Sequence, residues 1–325
     1  MKWSVHLGRM LGIDVFLHVT FLLLLGVIGI AHWLAHGSPA AVIDGVGFFV
    51  ALFACVLLHE YGHALAARHF GIATRDITLL PIGGVARLER MPDKPLQELW
   101  VALAGPAVNV VIAAALAVWL TFTGTWEPLS ALSTTSGSFI ERMLAVNVFL
   151  VLFNMIPAFP MDGGRVLRAL LALRLEYARA TRIAATIGQG LAFAFGIVGL
   201  FSNPFLLLIA VFVWIGATQE AAATDMKAAI GGLPVREAML TDFRTIPPHD
   251  TMEREFRTLR PDEPLDGARF QAEPGRTVLP VVRNGRLVGL LTAENVGELL
   301  MIRAARSQHS TVPPPLPRTA SHVHH

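Results

Sequence analysis

The chain has 325 residues, of which 54% are hydrophobic and only 15% are charged, against about 25% charged residues in a soluble globular domain. A mean hydropathy of +0.56 and a formal net charge of +2 indicate an integral membrane protein and give little support to nucleic-acid binding. The single cysteine, Cys55, excludes an intramolecular disulfide framework and a cysteine-based zinc cluster.

Six apolar segments are predicted to cross the membrane, since about 20 helical residues span its hydrocarbon core. Four of them are continuous and lie near residues 12–34, 45–66, 98–122 and 139–157. The other two come from the apolar stretch 183–218, which Ser202, Asn203 and Pro204 interrupt. The N-terminus begins like a signal peptide but lacks a cleavage pattern, so we expect the first span to be retained.

Lysine and arginine gather in alternate connections, as expected when cytoplasmic loops are positively charged. They precede the first predicted span and follow the second and the fourth, and they are missing from the connections 35–44, 123–138 and 202–204. Arg142 is an exception at the outer end of the fourth span, where we expect it to pair with Glu141 or to mark a later helix start. The pattern predicts that both termini are cytoplasmic.

The run His59-Glu60-Tyr61-Gly62-His63 lies near the cytoplasmic end of the second predicted span. Residues four apart share one face of a helix, so His59 and His63 can present two imidazoles to one zinc ion while Glu60 reaches the metal's water. Ionisable groups are costly in an apolar helix and usually serve a function there. The pattern therefore predicts a catalytic zinc site with Glu60 as the catalytic residue.

Catalytic zinc needs a third protein ligand, and Asp162 is the best candidate. It follows Asn154-Met155-Ile156-Pro157-Ala158-Phe159-Pro160-Met161 at the cytoplasmic end of the fourth span, at the depth predicted for His59. Pro157 and Pro160 cannot continue a regular helix, and irregular backbone at membrane depth is tolerated where it lines a polar cavity. The alternative is that Asp162 only caps the helix that follows.

These motifs, with Ala104-Gly105-Pro106-Ala107-Val108-Asn109 between them, resemble the site-2 protease family of intramembrane zinc metalloproteases over roughly residues 5–220. The resemblance implies that His59, His63 and Asp162 hold the zinc and that Glu60 is the general base. It also implies that Asn154 holds substrate or polarises its carbonyl. Met161 replaces the family's usual leucine, a volume-conserving change. For Asn109 we expect an interhelical hydrogen bond that supports packing.

The segment 77–88, interrupted by Pro81 and by Gly83-Gly84, is too short to cross the membrane. It is predicted to form a re-entrant β-hairpin, an element that the resembling family has near its active site. Its exposed edge, with Gly83 and Gly84, is a candidate substrate-binding strand. A structural loop on the cytoplasmic surface is the alternative.

A soluble α+β domain is predicted after a linker at 221–234. Residues 235–303 resemble one cystathionine-β-synthase (CBS) repeat, and the runs around Asn284-Gly285 predict a β-hairpin before a helix near Ala293. The resemblance implies an adenine nucleotide near Thr292 and Asn295 and a homodimer formed through paired repeats. A purely assembling or vestigial module is the alternative. Residues 304–325 are predicted to form a disordered tail.

The predicted fold is thus an α-helical polytopic membrane protein of about six transmembrane helices, with a re-entrant β-hairpin and a small C-terminal α+β CBS-like domain. The predicted function is intramembrane zinc proteolysis in a bacterial or archaeal cell membrane. The predicted substrates are single-span or membrane-associated proteins, and the resemblance implies anti-sigma or precursor sigma factors among them. Two alternatives remain: a metalloprotease whose third ligand is a downstream glutamate, and a CBS-regulated transporter or channel whose intramembrane histidines carry ions.

Overall fold

The computed structural model describes residues 3–81, 83–90, 92, 94–124, 137–241, 258–265 and 278–309, with side chains described as far as residue 303. The chain forms two compact units, Met1–Ala222 and Ala223–His325. The predicted tail lies outside the described residues from position 310 onward. Each unit has its own hydrophobic core.

Seven helices begin in the described part of the first unit. They are α1 (Val19–His36), α2 (Pro39–His69), α3 (Pro95–Thr123), α4 (Phe139–Asn154), α5 (Asp162–Ala172), α6 (Tyr177–Phe201) and α7 (Pro204–Ile230).

Five of the described helices, α1, α2, α3, α6 and α7, are long and apolar enough to cross a membrane. The fourth predicted span differs from expectation, because α4 has only 16 residues and ends at Asn154. Ser138 and Glu141 start α4 with a capping box, in which each satisfies a backbone N–H of the other. Arg142 pairs with Asp44 of α2 at 2.8 Å, so the expected Glu141–Arg142 pairing is not needed to explain this charge.

The first unit also contains a four-stranded sheet in the order β1-β2-β3-β4. The strands are β1 (Ser4–Met10), β2 (Ile13–His18), β3 (Thr74–Leu80) and β4 (Gly83–Leu88). Strand β2 pairs with β3 in parallel, and the other two pairings are antiparallel. The predicted hairpin is therefore present as β3–β4, although Ile82 at its tip is not described, and β4 is an edge strand.

The start predicted for the first span is wrong, because residues 13–18 form β2 and α1 begins only at Val19. Leu11 and Gly12 both have positive φ, 53° and 84°, and make the tight turn between β1 and β2. Ile13 and Val15 are buried under α2, while the intervening Asp14 is not. This alternation is typical of a strand, but it is hidden within a long apolar run.

The second unit contains a 3₁₀ turn (Val235–Glu237), strands β5 (Val278–Arg283) and β6 (Arg286–Thr292) and helix α8 (Ala293–His309). The hairpin prediction is confirmed: Asn284 and Gly285 both have positive φ, as a two-residue type I′ turn requires. Helix α7 continues to Ile230, so much of the predicted linker is helical. The CBS resemblance itself stays a prediction.

Candidate metal centre

Helix α2 carries the two predicted histidine ligands on one buried face. His59 and His63 are 6% and 5% exposed, and their Nε2 atoms lie 3.1 Å apart. Helix α3 leaves room for them at Gly105, where a Cβ atom would overlap Nε2 of His63 and come within 2.7 Å of Nε2 of His59. The i, i+4 spacing and this glycine together place both imidazoles at one point.

Asp162 joins the two histidines from the first position of α5. Its carboxylate Oδ2 lies 3.1 Å from Nε2 of His59 and 3.2 Å from Nε2 of His63. The chain turns sharply between α4 and α5, and Cβ atoms at Gly163 and Gly164 would come within 2.3 to 2.6 Å of the backbone of that turn. The two glycines therefore let α5 start directly against the turn, which brings Asp162 to the histidines.

Hydrogen bonds behind His59 fix which of its nitrogens carries the proton. The main-chain carbonyl of Met143 can only accept, and Asn147 donates to it through Nδ2 at 2.9 Å. The Oδ1 atom of Asn147 then accepts from Nδ2 of Asn109 at 2.9 Å, which turns Oδ1 of Asn109 toward Nδ1 of His59 at 2.6 Å. The network assigns the proton to Nδ1 and leaves the Nε2 lone pair facing Asp162.

His63 is oriented in the same way by the backbone. Its Nδ1 lies 2.7 Å from the carbonyl oxygen of Val101, which cannot donate. Nδ1 of His63 therefore donates, and its Nε2 also presents a lone pair. Such hydrogen bonds behind metal-binding imidazoles are the usual means of setting their tautomer and ring orientation.

Two imidazole lone pairs and one carboxylate thus converge, and each repels the others unless a positive charge lies among them. Ligands bound at 2.0–2.1 Å around a tetrahedral ion lie about 3.3–3.4 Å apart, close to the observed 3.1–3.2 Å. Among the described residues, this is the group of three or more His, Cys, Asp or Glu side chains that can hold a metal ion.

Glu60 lies half-buried beside this group and directly under the sheet. A Cβ atom at Gly84 of β4 would come within 2.5 Å of Cγ and 3.1 Å of Oε1 of Glu60. Gly83 adopts a φ of 136° at the start of the strand, where a Cβ would meet nothing within 4 Å. The predicted substrate-binding edge and the predicted base are therefore in contact through Gly84.

Three residues that matter to this geometry were not predicted as site residues. Asn109 makes the expected interhelical hydrogen bond, but its partner is His59. Asn147 and Gly105 carry no pattern of their own. The signal available for Gly105 and Asn109 was their spacing of four in α3, which puts them on one helix face.

The remaining predicted site residues have local partners. Asn154 donates to the Leu150 carbonyl of its own helix at 3.0 Å. Thr292 accepts from the backbone N–H of Asn295 at 3.1 Å, and their side chains are also hydrogen-bonded. Thr292 thus acts as an N-cap of α8, a role that requires no nucleotide.

This chain is similar to a peptidase family and to several known proteins. A family model described as Peptidase family M50 matches residues 47–140 and 127–195. A zinc metalloprotease of Methanocaldococcus jannaschii is 34% identical over 297 residues, which cover 91% of this chain and 80% of that protein. Stage IV sporulation protein FB of Bacillus subtilis is 31% identical over 135 residues, 41% of this chain and 43% of that protein.

Among solved structures, a site-2 protease from Methanocaldococcus jannaschii is similar. It is 37% identical, the match covers 67% of this chain and 95% of that chain, and the TM-score is 0.49.

Proposed function

Because the chain belongs to peptidase family M50 and is an intramembrane zinc metalloprotease of the site-2 protease type, we propose that His59, His63 and Asp162 hold its zinc ion and that Glu60 is its general base. The convergence of three lone-pair donors within 3.1–3.2 Å carries this proposal. The donor set, two imidazoles and one carboxylate, is one that catalytic zinc uses.

When bound, zinc would supply a Lewis acid and lower the pKa of its water molecule to about 7. The chain's own residues do the rest. Asn109 and the Val101 carbonyl accept from Nδ1 of the two imidazoles and so direct their Nε2 atoms to one point, and Asp162 would balance part of the metal's charge. Glu60 takes the proton from the attacking water and passes it to the leaving amine. Its half-buried carboxylate beside Gly84 is positioned for a peptide that lies along β4.

The substrates are membrane-embedded proteins, and we propose that β4 receives them as an added strand. An edge strand offers unpaired backbone groups that hold a peptide in extended form, which a protease requires and a transmembrane helix lacks. Val85 is 46% exposed on this strand. Pairing along β4 would bring the scissile carbonyl next to Glu60. Asn154 is proposed to contact the substrate only after leaving its bond to Leu150.

The charge pattern supports the proposed orientation, and the resemblance to the site-2 protease family supports the proposed process. With both termini in the cytoplasm, the site lies near the cytoplasmic surface, and a soluble or membrane-tethered fragment would be released there. Regulated release of anti-sigma or precursor sigma factors is the proposed process in a bacterial or archaeal cell membrane.

For the second unit we propose a CBS-like regulatory domain at 235–303, with an adenine nucleotide near Thr292 and Asn295 and pairing of two chains through this unit. Isothermal titration of the full chain with ATP and AMP tests the nucleotide. Heat from neither would reject it, and the N-cap role of Thr292 would then be sufficient.

Co-expression of wild type and Glu60→Gln with tagged single-span proteins tests the protease function. Fragments are expected with wild type and with the control Glu176→Gln, an exposed glutamate at the start of α6, but not with Glu60→Gln. A transporter would instead keep its function in Glu60→Gln. If Asp162→Ala kept both zinc and cleavage, the third ligand would be a downstream glutamate.

A further inference from the structure

Arg168 is a buried charge on α5, six residues after Asp162, and the proteolytic chemistry does not use it. Its side chain is 1% exposed and is among the largest fully buried in the described chain. Its Nε and one Nη donate to the same oxygen of Glu98 on α3 at 2.8 and 2.5 Å. Its other Nη donates to Glu220 on α7.

Two aromatic rings also lie close to the guanidinium. Its central carbon lies 5.0 Å from the ring centroid of Phe159 and 5.0 Å from that of Tyr177, within the range of cation–π attraction. Phe159 belongs to the turn that leads into Asp162, and Tyr177 begins α6. Arg168 therefore contacts that turn and three further helices at once.

Helix α7 also packs against the turn between α4 and α5. A Cβ atom at Gly216 would come within 2.5 Å of Cδ of Pro160, so this helix packs directly on the turn. Glu220, four residues later and on the same face, is the carboxylate that reaches Arg168. Ala217 lies between them and packs against Phe159 in one buried cluster.

Stability alone is a weak reason for this arrangement. A buried ion pair is often no more stabilising than well-packed apolar side chains of similar volume, because both charges lose their hydration. A planar guanidinium with two fixed carboxylate partners and two neighbouring aromatic rings does restrict where its helix can lie. Here that helix begins with Asp162.

We propose that Arg168 is a positioning residue that fixes the Asp162 carboxylate in the metal site by holding α5 and the preceding turn against α3 and α7. This proposal rests on the proposed role of Asp162 as a metal ligand. Glu98 anchors one edge of Arg168 in the interior, with 3% of its side chain exposed, while the Glu220 side chain is 30% exposed. Glu220 is therefore the carboxylate partner of Arg168 that is exposed to solvent.

The test uses the purified full chain in detergent and the variants Arg168→Met, Arg168→Lys and Glu220→Gln. Zinc affinity is measured by competition with a chromophoric chelator, and the absorption spectrum is recorded after cobalt substitution. Thermal unfolding of the metal-free proteins reports the purely structural effect. Arg142→Met is the matched control, since Arg142 also pairs with a carboxylate at 2.8 Å and stacks on Phe48.

Arg168→Met is expected to weaken zinc affinity at least tenfold, within the about 10- to 100-fold typical of residues that orient metal ligands, and to alter the cobalt spectrum. Arg168→Lys keeps the charge but not the planar fork, so an intermediate loss is expected. Glu220→Gln should show the smallest loss. Arg142→Met should lower the unfolding temperature while zinc affinity and the cobalt spectrum stay at wild-type values.

Wild-type zinc affinity and an unchanged cobalt spectrum in both Arg168 variants would overturn the proposal, whatever their unfolding temperatures. If Arg168→Met does not fold, Arg168→Lys and Glu220→Gln decide by the same criterion. A wild-type protein that binds no metal would instead overturn the proposed metal site, and this inference with it.

Discussion

Replacing Asn109 by leucine tests the hydrogen-bond network behind His59. The change keeps the side-chain volume similar but removes both the acceptor for His59 Nδ1 at 2.6 Å and the donor to Asn147 at 2.9 Å. Asn109 is fully buried, so water cannot replace either bond. His59 would then be free to carry its proton on Nε2, the atom proposed to bind the metal.

The magnitude follows from the two groups left unpaired. Each buried polar group without a partner costs about 1–3 kcal/mol, so the free energy of unfolding should fall by about 2–6 kcal/mol. Loss of the bond that orients His59 should lower zinc affinity by about 10- to 100-fold, equivalent to about 1.4–2.8 kcal/mol. Both quantities can be measured on purified protein, by denaturation of the metal-free form and by chelator competition.

Asn147→Leu is the matched control, because it removes the second member of the network and leaves the acceptor of His59 in place. It leaves one buried group unpaired, Nδ2 of Asn109, because the Met143 carbonyl still accepts the backbone hydrogen bond of its own helix. The free energy of unfolding should therefore fall by about 1–3 kcal/mol, and the effect on zinc affinity should be smaller than that of Asn109→Leu. Equal zinc affinity in Asn109→Leu and wild type, or equal losses in the two variants, would refute the tautomer argument.

Three further predictions concern the site. Gly84→Ala should displace the Glu60 side chain and reduce turnover about 100-fold, with zinc content unchanged. Gly190→Ala is the control, because a Cβ atom at Gly190 meets nothing within 4 Å. Wild-type turnover in Gly84→Ala would contradict the contact between Gly84 and Glu60. Gly105→Ala should abolish stoichiometric zinc binding, because its Cβ would overlap Nε2 of His63. Elemental analysis can measure the zinc content, and a full zinc complement would contradict the close packing of Gly105 on the two histidines. Removal of zinc by a chelator should stop cleavage, and added zinc should restore it; cleavage that persists in zinc-free protein would reject the metal mechanism.

The candidate site residues that share one face of a single helix could be predicted from their spacing in the sequence. His59, Glu60 and His63 follow from a single helical period, and Asp162 follows from the proline-broken segment at a matching membrane depth. The structure brings these predicted ligands together from positions about 100 residues apart in the chain.

The parts that depend on contacts between helices were not predictable. Asn109 and Asn147 lie 38 residues apart, and nothing in either local pattern indicates that they meet. Arg168 belongs to a run of arginines that looks like an ordinary cytoplasmic loop, yet it is buried between two glutamates. The β1–β2 hairpin was missed because membrane hydropathy counts apolar residues and ignores whether they alternate.

The parallel pairing of β2 with β3 closes a loop in the chain, because α1 and the catalytic helix α2 both lie between these two strands. A peptide bound along β4 and pulled lengthwise would load the hydrogen bonds of the sheet in shear, so that many bonds share the force. The tension would pass to both ends of the loop that carries His59 and His63. If a substrate pairs with β4 as proposed, the sheet would connect it mechanically to the segment that carries the proposed ligands His59 and His63.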